Sequence, residues 1–157
     1  MFRPIRRRER EVPEDDAREI LARAEYGVLA TVGEEGWPYA VPLNHVIEGG
    51  VLYVHSALEG HKLDNIAHDE RVCYCAVASA QVLPEKLSTL YESAIIFGRA
   101  AQVTDPIEKK RALRLLAARF YASPEQTEEE LRKAGAHAAV VRIRIERITG
   151  KAHRASK

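Results

Sequence analysis

Cysteine and aromatic residues are scarce in this chain. Of 157 residues, two are Cys, one is Trp, and Phe, Trp and Tyr together make 6%. The two cysteines, Cys73 and Cys75, stand two apart in an apolar run that reads as a strand. Side chains at i and i+2 of a strand point the same way, and a bond between them would strain the backbone. A disulfide framework is therefore excluded, and the pair reads as two small buried hydrophobes. No apolar run approaches the ~20 residues of a membrane span. The Arg-rich start lacks the apolar stretch of a secretory signal. The expectation is a cytoplasmic protein with no membrane partner. An excess of one charge is missing too. The net charge is +1, whereas a dedicated nucleic-acid binder carries a strong basic surplus. No Gly-x-Ser-x-Gly elbow, phosphate-binding Walker loop or dinucleotide glycine pattern is present. His55, His61 and His68 have no cysteine partner at zinc-ligand spacing, so no metal site is expected.

What remains is ordinary globular composition, 46% hydrophobic and 30% charged. The length suits one domain over residues 1–157. Residues 1–12 form a basic arm with Arg3, Arg6, Arg7, Arg8 and Arg10. It reads either as an anion- or partner-binding segment or as a solvated terminus. Pro13 to Glu25 predicts a helix, with acids opposing its positive start and a stripe of Ala17, Ile20, Leu21 and Ala24. The period then becomes that of strands. These are predicted over Gly27–Val32, Trp37–Ile47, Val51–His55, Arg71–Ala78, Tyr91–Val103 and Ala138–Ile148. Ser79 to Leu90 reads as a loop, and Gly98 as a bulge or bend. A short helix over Gly60–His68 turns Leu63, Ile66 and Ala67 inward. Asp105-Pro106 opens the longest helix, with a stripe of Ile107, Leu113, Leu116 and Phe120. Ser123-Pro124 opens another, Glu125–Lys133. Six strands sharing one core tend to close, because closure removes exposed edges. The fold expectation is α+β: a six-stranded antiparallel barrel with peripheral helices.

Two stretches carry candidate chemistry. From Val54 to Ile66 a strand ends, a loop carries Gly60, and a helix starts with His61-Lys62. A helix start offers free N–H groups and a positive dipole end to an anion. Lys62 adds charge, and Ser56 and His61 add donors. Alone, the pattern fits a plain exposed turn as well. From Gly36 to His45, Pro38 and Pro42 fall in one strand, which needs an edge, a bulge or a ligand beside it. Asn44 can donate and accept there. An edge strand guarded against aggregation fits equally.

The ordered series of motifs resembles a known family. It runs Arg6-Arg7-Arg8-Glu9-Arg10-Glu11, then Ala24-Glu-Tyr-Gly-Val-Leu-Ala-Thr-Val32, Gly36-Trp-Pro-Tyr-Ala-Val-Pro-Leu-Asn44 and Leu52-Tyr-Val-His-Ser56. Gly60-His-Lys-Leu-Asp-Asn-Ile66, Tyr91-Glu-Ser-Ala-Ile-Ile-Phe-Gly98 and Ile148-Thr-Gly-Lys151 complete it. This resembles the pyridoxamine 5′-phosphate oxidase-related FMN-binding split barrels, and within them the nitroimidazole-resistance branch. The resemblance implies a homodimer with FMN in clefts between subunits. It implies that Val41, Pro42, Leu43 and Asn44 run along the flavin ring. His55, Ser56, His61 and Lys62 would surround its phosphate, with Ser93 near the same group. Trp37 and the arm would reach the partner's flavin. The oxidases' Arg-rich substrate-phosphate signature is missing from the C-terminus, which holds only Gly150-Lys-Ala-His-Arg154. The activity implied is reduction of a small electrophile such as a nitro-aromatic, with His45 as the candidate proton donor and His55 and His61 as others. A flavin-binding protein without activity would carry the same motifs. Related split barrels use FMN, a deazaflavin or haem, and FMN is the expectation.

Overall fold

The structure is a computed structural model and describes residues 2–119 and 123–155. After a short 3-10 turn at Arg8–Arg10, the elements are β1 (Glu11–Val12), α1 (Glu14–Arg23), β2 (Tyr26–Val32) and β3 (Pro38–Asn44). There follow β4 (Val46–Glu48), β5 (Val51–Ala57), α2 (His61–His68), β6 (Arg71–Leu83) and β7 (Ser88–Gln102). The chain ends with α3 (Pro106–Ala118), α4 (Pro124–Ala134) and β8 (Ala138–His153).

All ladders are antiparallel, and the sheet order is β3-β2-β6-β7-β8-β5-β4, with β1 added to β8. The α+β split barrel expected from the sequence is what forms, with eight strands among the described residues where six were expected. The edges of the sheet are β3 and β4, and these are consecutive in the chain. Only His45 separates them. The sheet curls until its edges meet, and the chain crosses that seam in one residue instead of a ladder. The predicted strand Trp37–Ile47 is therefore two strands on opposite edges. It breaks after Asn44, the partner of Tyr26 at the start of β2.

Leu29, Leu52, Val54, Tyr74, Ala94, Ile96, Val141 and Ile143 fill the interior, where Ala17, Ile20, Leu21 and Ala24 of α1 join them as expected. Gly27 is required here because a Cβ would lie 2.6 Å from Cζ of the buried Tyr74. β5 is buried on both faces along Leu52, Tyr53 and Val54. Tyr53 and Val140 form a second cluster under Ala112 and Leu113 of α3. Ile107, expected in that stripe, is 78% exposed. It precedes Leu113 by six residues, which is about 120° round a helix. Phe120 lies outside the described residues.

The predicted loop Ser79–Leu90 is mostly ladder. β6 and β7 continue past a bulge at Val77/Ser79, and only the turn at Pro84–Lys86 and the left-handed Leu87 (φ 46°) stand outside the pairing. Gly98 does mark a bulge, between β7 and β8, where a Cβ would strike the Arg144 carbonyl. Cys73 and Cys75 share a face as expected, but that face is the outer one and both are half-buried.

Candidate functional site

The strand β5 runs out from under α3 at His55, and its last residues flank the start of α2. Alternation puts His55 on the outer face, exposed, and turns the half-buried Ser56 the other way. The two do not share a surface. The Ser56 hydroxyl donates to the Ala57 carbonyl at 2.8 Å in this conformation. Gly60 stands before α2 at φ 136°, a backbone that side-chain-bearing residues rarely adopt. The Gly60 carbonyl accepts from Leu63 (2.8 Å) and Asp64 (3.2 Å), and among the described residues no side chain caps the helix. The first amides of α2 thus have no acceptor within the helix. Lys62 is half-buried beside them. Ala67, expected inside, is exposed. Asn65 takes the inward place instead, donating from Nδ2 to the Thr31 hydroxyl at 3.0 Å and tying α2 to β2.

The free edge of β3 faces this helix start. Tyr39 and His61 lie with ring centroids 4.3 Å apart, so the two motif stretches meet in space. Along β3 the faces alternate. Val41 and Leu43 pack on the core, while Pro42 and Asn44 are exposed. Asn44 donates from Nδ2 to the Glu25 carbonyl at 2.9 Å, leaving Oδ1 and its second N–H available. His61 also lines a cavity of about 430 Å³, together with Gly33, Glu34, Glu35, Trp37, Asp64, Asn65 and His68. Trp37 on its wall is 75% exposed.

His45 is not part of this surface. It has no exposed area, and both ring nitrogens are engaged, Nε2 with the Leu21 carbonyl (2.8 Å) and Nδ1 with the Tyr74 hydroxyl (2.9 Å). Arg119 donates to the His45 carbonyl at 3.0 Å and to the carbonyls of Ala22 and Ala24, so it also closes the end of α1. Burial holds the His45 imidazole below its ordinary pKa, against the pull of the Leu21 carbonyl. The expected proton donor is instead the residue that pins the seam, since a ring sealed inside the barrel cannot meet a substrate. Tyr74, whose hydroxyl is 2.7 Å from the Leu43 carbonyl, and Arg119 were not singled out from the sequence. Neither lies within a motif of the site, and only the meeting of edges reveals them.

Ser93 is also apart. On β8 its ladder partner is Lys151, whereas Ser56 pairs with Ala139, twelve residues away. That is about 40 Å of extended strand. One protomer does not bring Ser93 to the start of α2.

Comparison with known proteins gives the arrangement its family. The profile described as pyridoxamine 5′-phosphate oxidase matches residues 13–152. The chain belongs to that family. Among solved structures, it is similar to a candidate 5-nitroimidazole antibiotic resistance protein from Bacteroides thetaiotaomicron, at 23% identity and TM-score 0.72, covering 90% of this chain and 85% of that one. A conserved hypothetical protein from Mycobacterium tuberculosis shares 16% identity at TM-score 0.81, over 98% of both chains. An FAD and haem binding protein from Mycobacterium smegmatis shares 21% at TM-score 0.76, covering 93% and 74%. At these identities the likeness is one of fold. No curated protein sequence matches the chain. No helix among the described residues is long and apolar enough to cross a membrane.

Proposed function

We propose that this family member is an FMN-binding oxidoreductase that works as a homodimer and reduces a small electrophile such as a nitro-aromatic. The observation that carries the reading is the uncapped start of α2, with Gly60 at φ 136°, set against the unpaired edge of β3. Free amides, the Lys62 ammonium and the Ser56 hydroxyl form a donor set suited to a phosphate monoester. The polar backbone of an edge strand suits the hydrogen-bonding rim of a flat heterocycle. The residues present therefore fit FMN. Ser56, His61 and Lys62 would hold its phosphate, and Val41, Pro42, Leu43 and Asn44 its ring. When bound, the flavin supplies the electrons for reduction. The chain's own part is to position that ring and to offer donors where negative charge develops. With His45 sealed and His61 at the phosphate end, the proton reaches the ring from solvent at the open mouth.

One observation supports the dimer. The outer face of β2, β6 and β7 is apolar. Val28, Cys75 and Ile95 form one ladder row and Ala30, Cys73 and Phe97 the next, with Tyr26 56% and Val77 49% exposed beside them. Contiguous exposed apolar surface marks an interaction site. Ser93 borders this face, and a second subunit gives it a route to a cofactor that its own protomer denies it.

The absorbance spectrum of the freshly purified protein tests the cofactor. A flavin spectrum supports the reading, and a haem or deazaflavin spectrum overturns the FMN assignment. Anaerobic reduction followed by mixing with nitro-aromatics tests the activity. Reoxidation no faster than in buffer would reduce the protein to a flavin binder.

A further inference from the structure

A strongly basic cluster lies at the other end of the sheet from α2. Tyr91 on β7 and its ladder partner His153 on β8 are half-buried on the outer face, as are Ser93 and Lys151 one row along. The Lys151 ammonium lies 5.8 Å from the centroid of the Tyr91 ring, and the Arg10 guanidinium, from the N-terminal arm, lies 6.0 Å from it. Among the described residues neither cation has a carboxylate within 4.0 Å. Glu11 is the ladder partner of Lys151 but pairs with Arg8 at 3.6 Å. Glu92 is already shared by Arg23 (3.0 Å) and Arg154 (2.7 Å). Arg10 and Lys151 thus share the Tyr91 ring with no ion-paired acid among the described residues, an arrangement whose like charges repel until a counter-ion joins them.

We propose that Arg10, Tyr91 and Lys151 form a second anion site, separate from the α2 start, that takes a phosphate-class oxyanion. Guanidinium, ammonium, phenol and the Ser93 hydroxyl are all donors, the complement of a tetrahedral acceptor. The local field is already that of an anion hole. The Arg10 guanidinium beside the phenol, then the Lys151 ammonium, pull Tyr91 below the ordinary range of a tyrosine. His153 buttresses the ring from its edge at a centroid distance of 6.4 Å, while its Nδ1 engages the Thr89 carbonyl at 2.7 Å. Two sources supply such an oxyanion: the cofactor phosphate held by a second subunit, and a free phosphorylated small molecule.

Tyr91 is its own reporter. Bound phosphate cancels the field of the two cations, so the phenol should ionise at higher pH. The measurement is a spectroscopic titration of tyrosinate in the purified protein at constant ionic strength, in chloride and in inorganic phosphate. In chloride one phenol should ionise ahead of the rest, and this step should vanish in Tyr91→Phe. Phosphate should move the step upward in the wild type and in Lys151→Arg, and leave it in place in the double variant Arg10→Gln/Lys151→Gln. Protein loaded with FMN and with riboflavin separates the sources. A response lost with FMN but kept with riboflavin identifies the cofactor phosphate, and a response kept with both identifies a free ligand. Equal titrations in chloride and phosphate, or a phosphate response undiminished in the double variant, would overturn the site.

Discussion

Replacing His45 by Gln removes the one ionisable ring sealed at the seam while keeping a side chain that donates and accepts. His45 has no exposed surface, and burial holds it below its usual pKa. The folded protein therefore keeps it neutral where the unfolded chain, with an ordinary histidine near 6.5, takes up a proton. The unfolded state binds more protons in that window, so stability rises with pH through it and levels off above about 6.5. Acidification from about pH 7.5 to about pH 5.5 then costs at most about 1.4 kcal/mol through this residue, the limit in which the folded ring takes up no proton at all. For a chain of this size that limit is a fall of about 3–6 °C in the thermal midpoint. Urea unfolding of wild type and His45→Gln at the two pH values isolates the effect, because other titrating groups cancel in the difference. The variant should be less stable at neutral pH, since one geometry has to be remade inside the barrel, and should lose less on acidification, by up to that amount. Identical pH dependence in the two proteins would refute the buried, neutral role of His45. A variant that folds normally but reduces no electrophile would restore His45 to the chemistry.

Tyr74→Phe leaves the Nδ1 of His45 without its hydroxyl partner in the interior and should cost about 1–3 kcal/mol in urea unfolding. Lys62→Ala should weaken flavin retention roughly ten- to a hundred-fold, read as flavin absorbance after extensive dialysis; full occupancy would place the phosphate elsewhere. Val28→Glu puts a charge in the middle of the exposed apolar face and should shift the dimer to monomer in sedimentation velocity. A dimer of unchanged stability would move the interface off β2 and β6.

The fold was legible where the side-chain period was strong. α1 declared itself through Ala17, Ile20, Leu21 and Ala24, and α2, α3 and α4 through their starts at Gly60, Asp105 and Ser123. Legibility failed where tertiary position overrode local pattern. Nothing local distinguishes Asn44-His45-Val46 from the middle of a strand. The break arises because the two edges of a curled sheet are adjacent in the chain there. The ladder beyond Val77 was hidden because both its faces are largely exposed, which leaves no alternation to read. Ser56, His61 and Lys62 were found from helix-start chemistry. Ser93 was placed with them by resemblance alone, and only the β8 register showed that it stands some twelve positions off.

The seam explains why a sheet with satisfied ladders everywhere else has a candidate site at this place. A closed barrel has no free backbone edge, and a barrel whose edges merely approach exposes two. Here the second edge, β4, is short and is covered by α3, while β3 keeps Pro38 and Pro42 on its open side. Proline removes N–H groups that would recruit a foreign strand, so the open edge resists sheet extension without being covered. What can still approach it is a flat group with its own donors and acceptors. Asn44, His45 and Arg119 hold the two edges at a fixed spacing through five hydrogen bonds to main-chain carbonyls of α1 and of the junctions beside it and β3, and the Tyr74 hydroxyl locks the His45 ring at Nδ1. Loosening that clamp should be felt at β3 first. Hydrogen exchange in Tyr74→Phe should therefore accelerate at Val41 and Leu43 before it does so in β6 or β7, and uniform acceleration across the barrel would argue against a clamp.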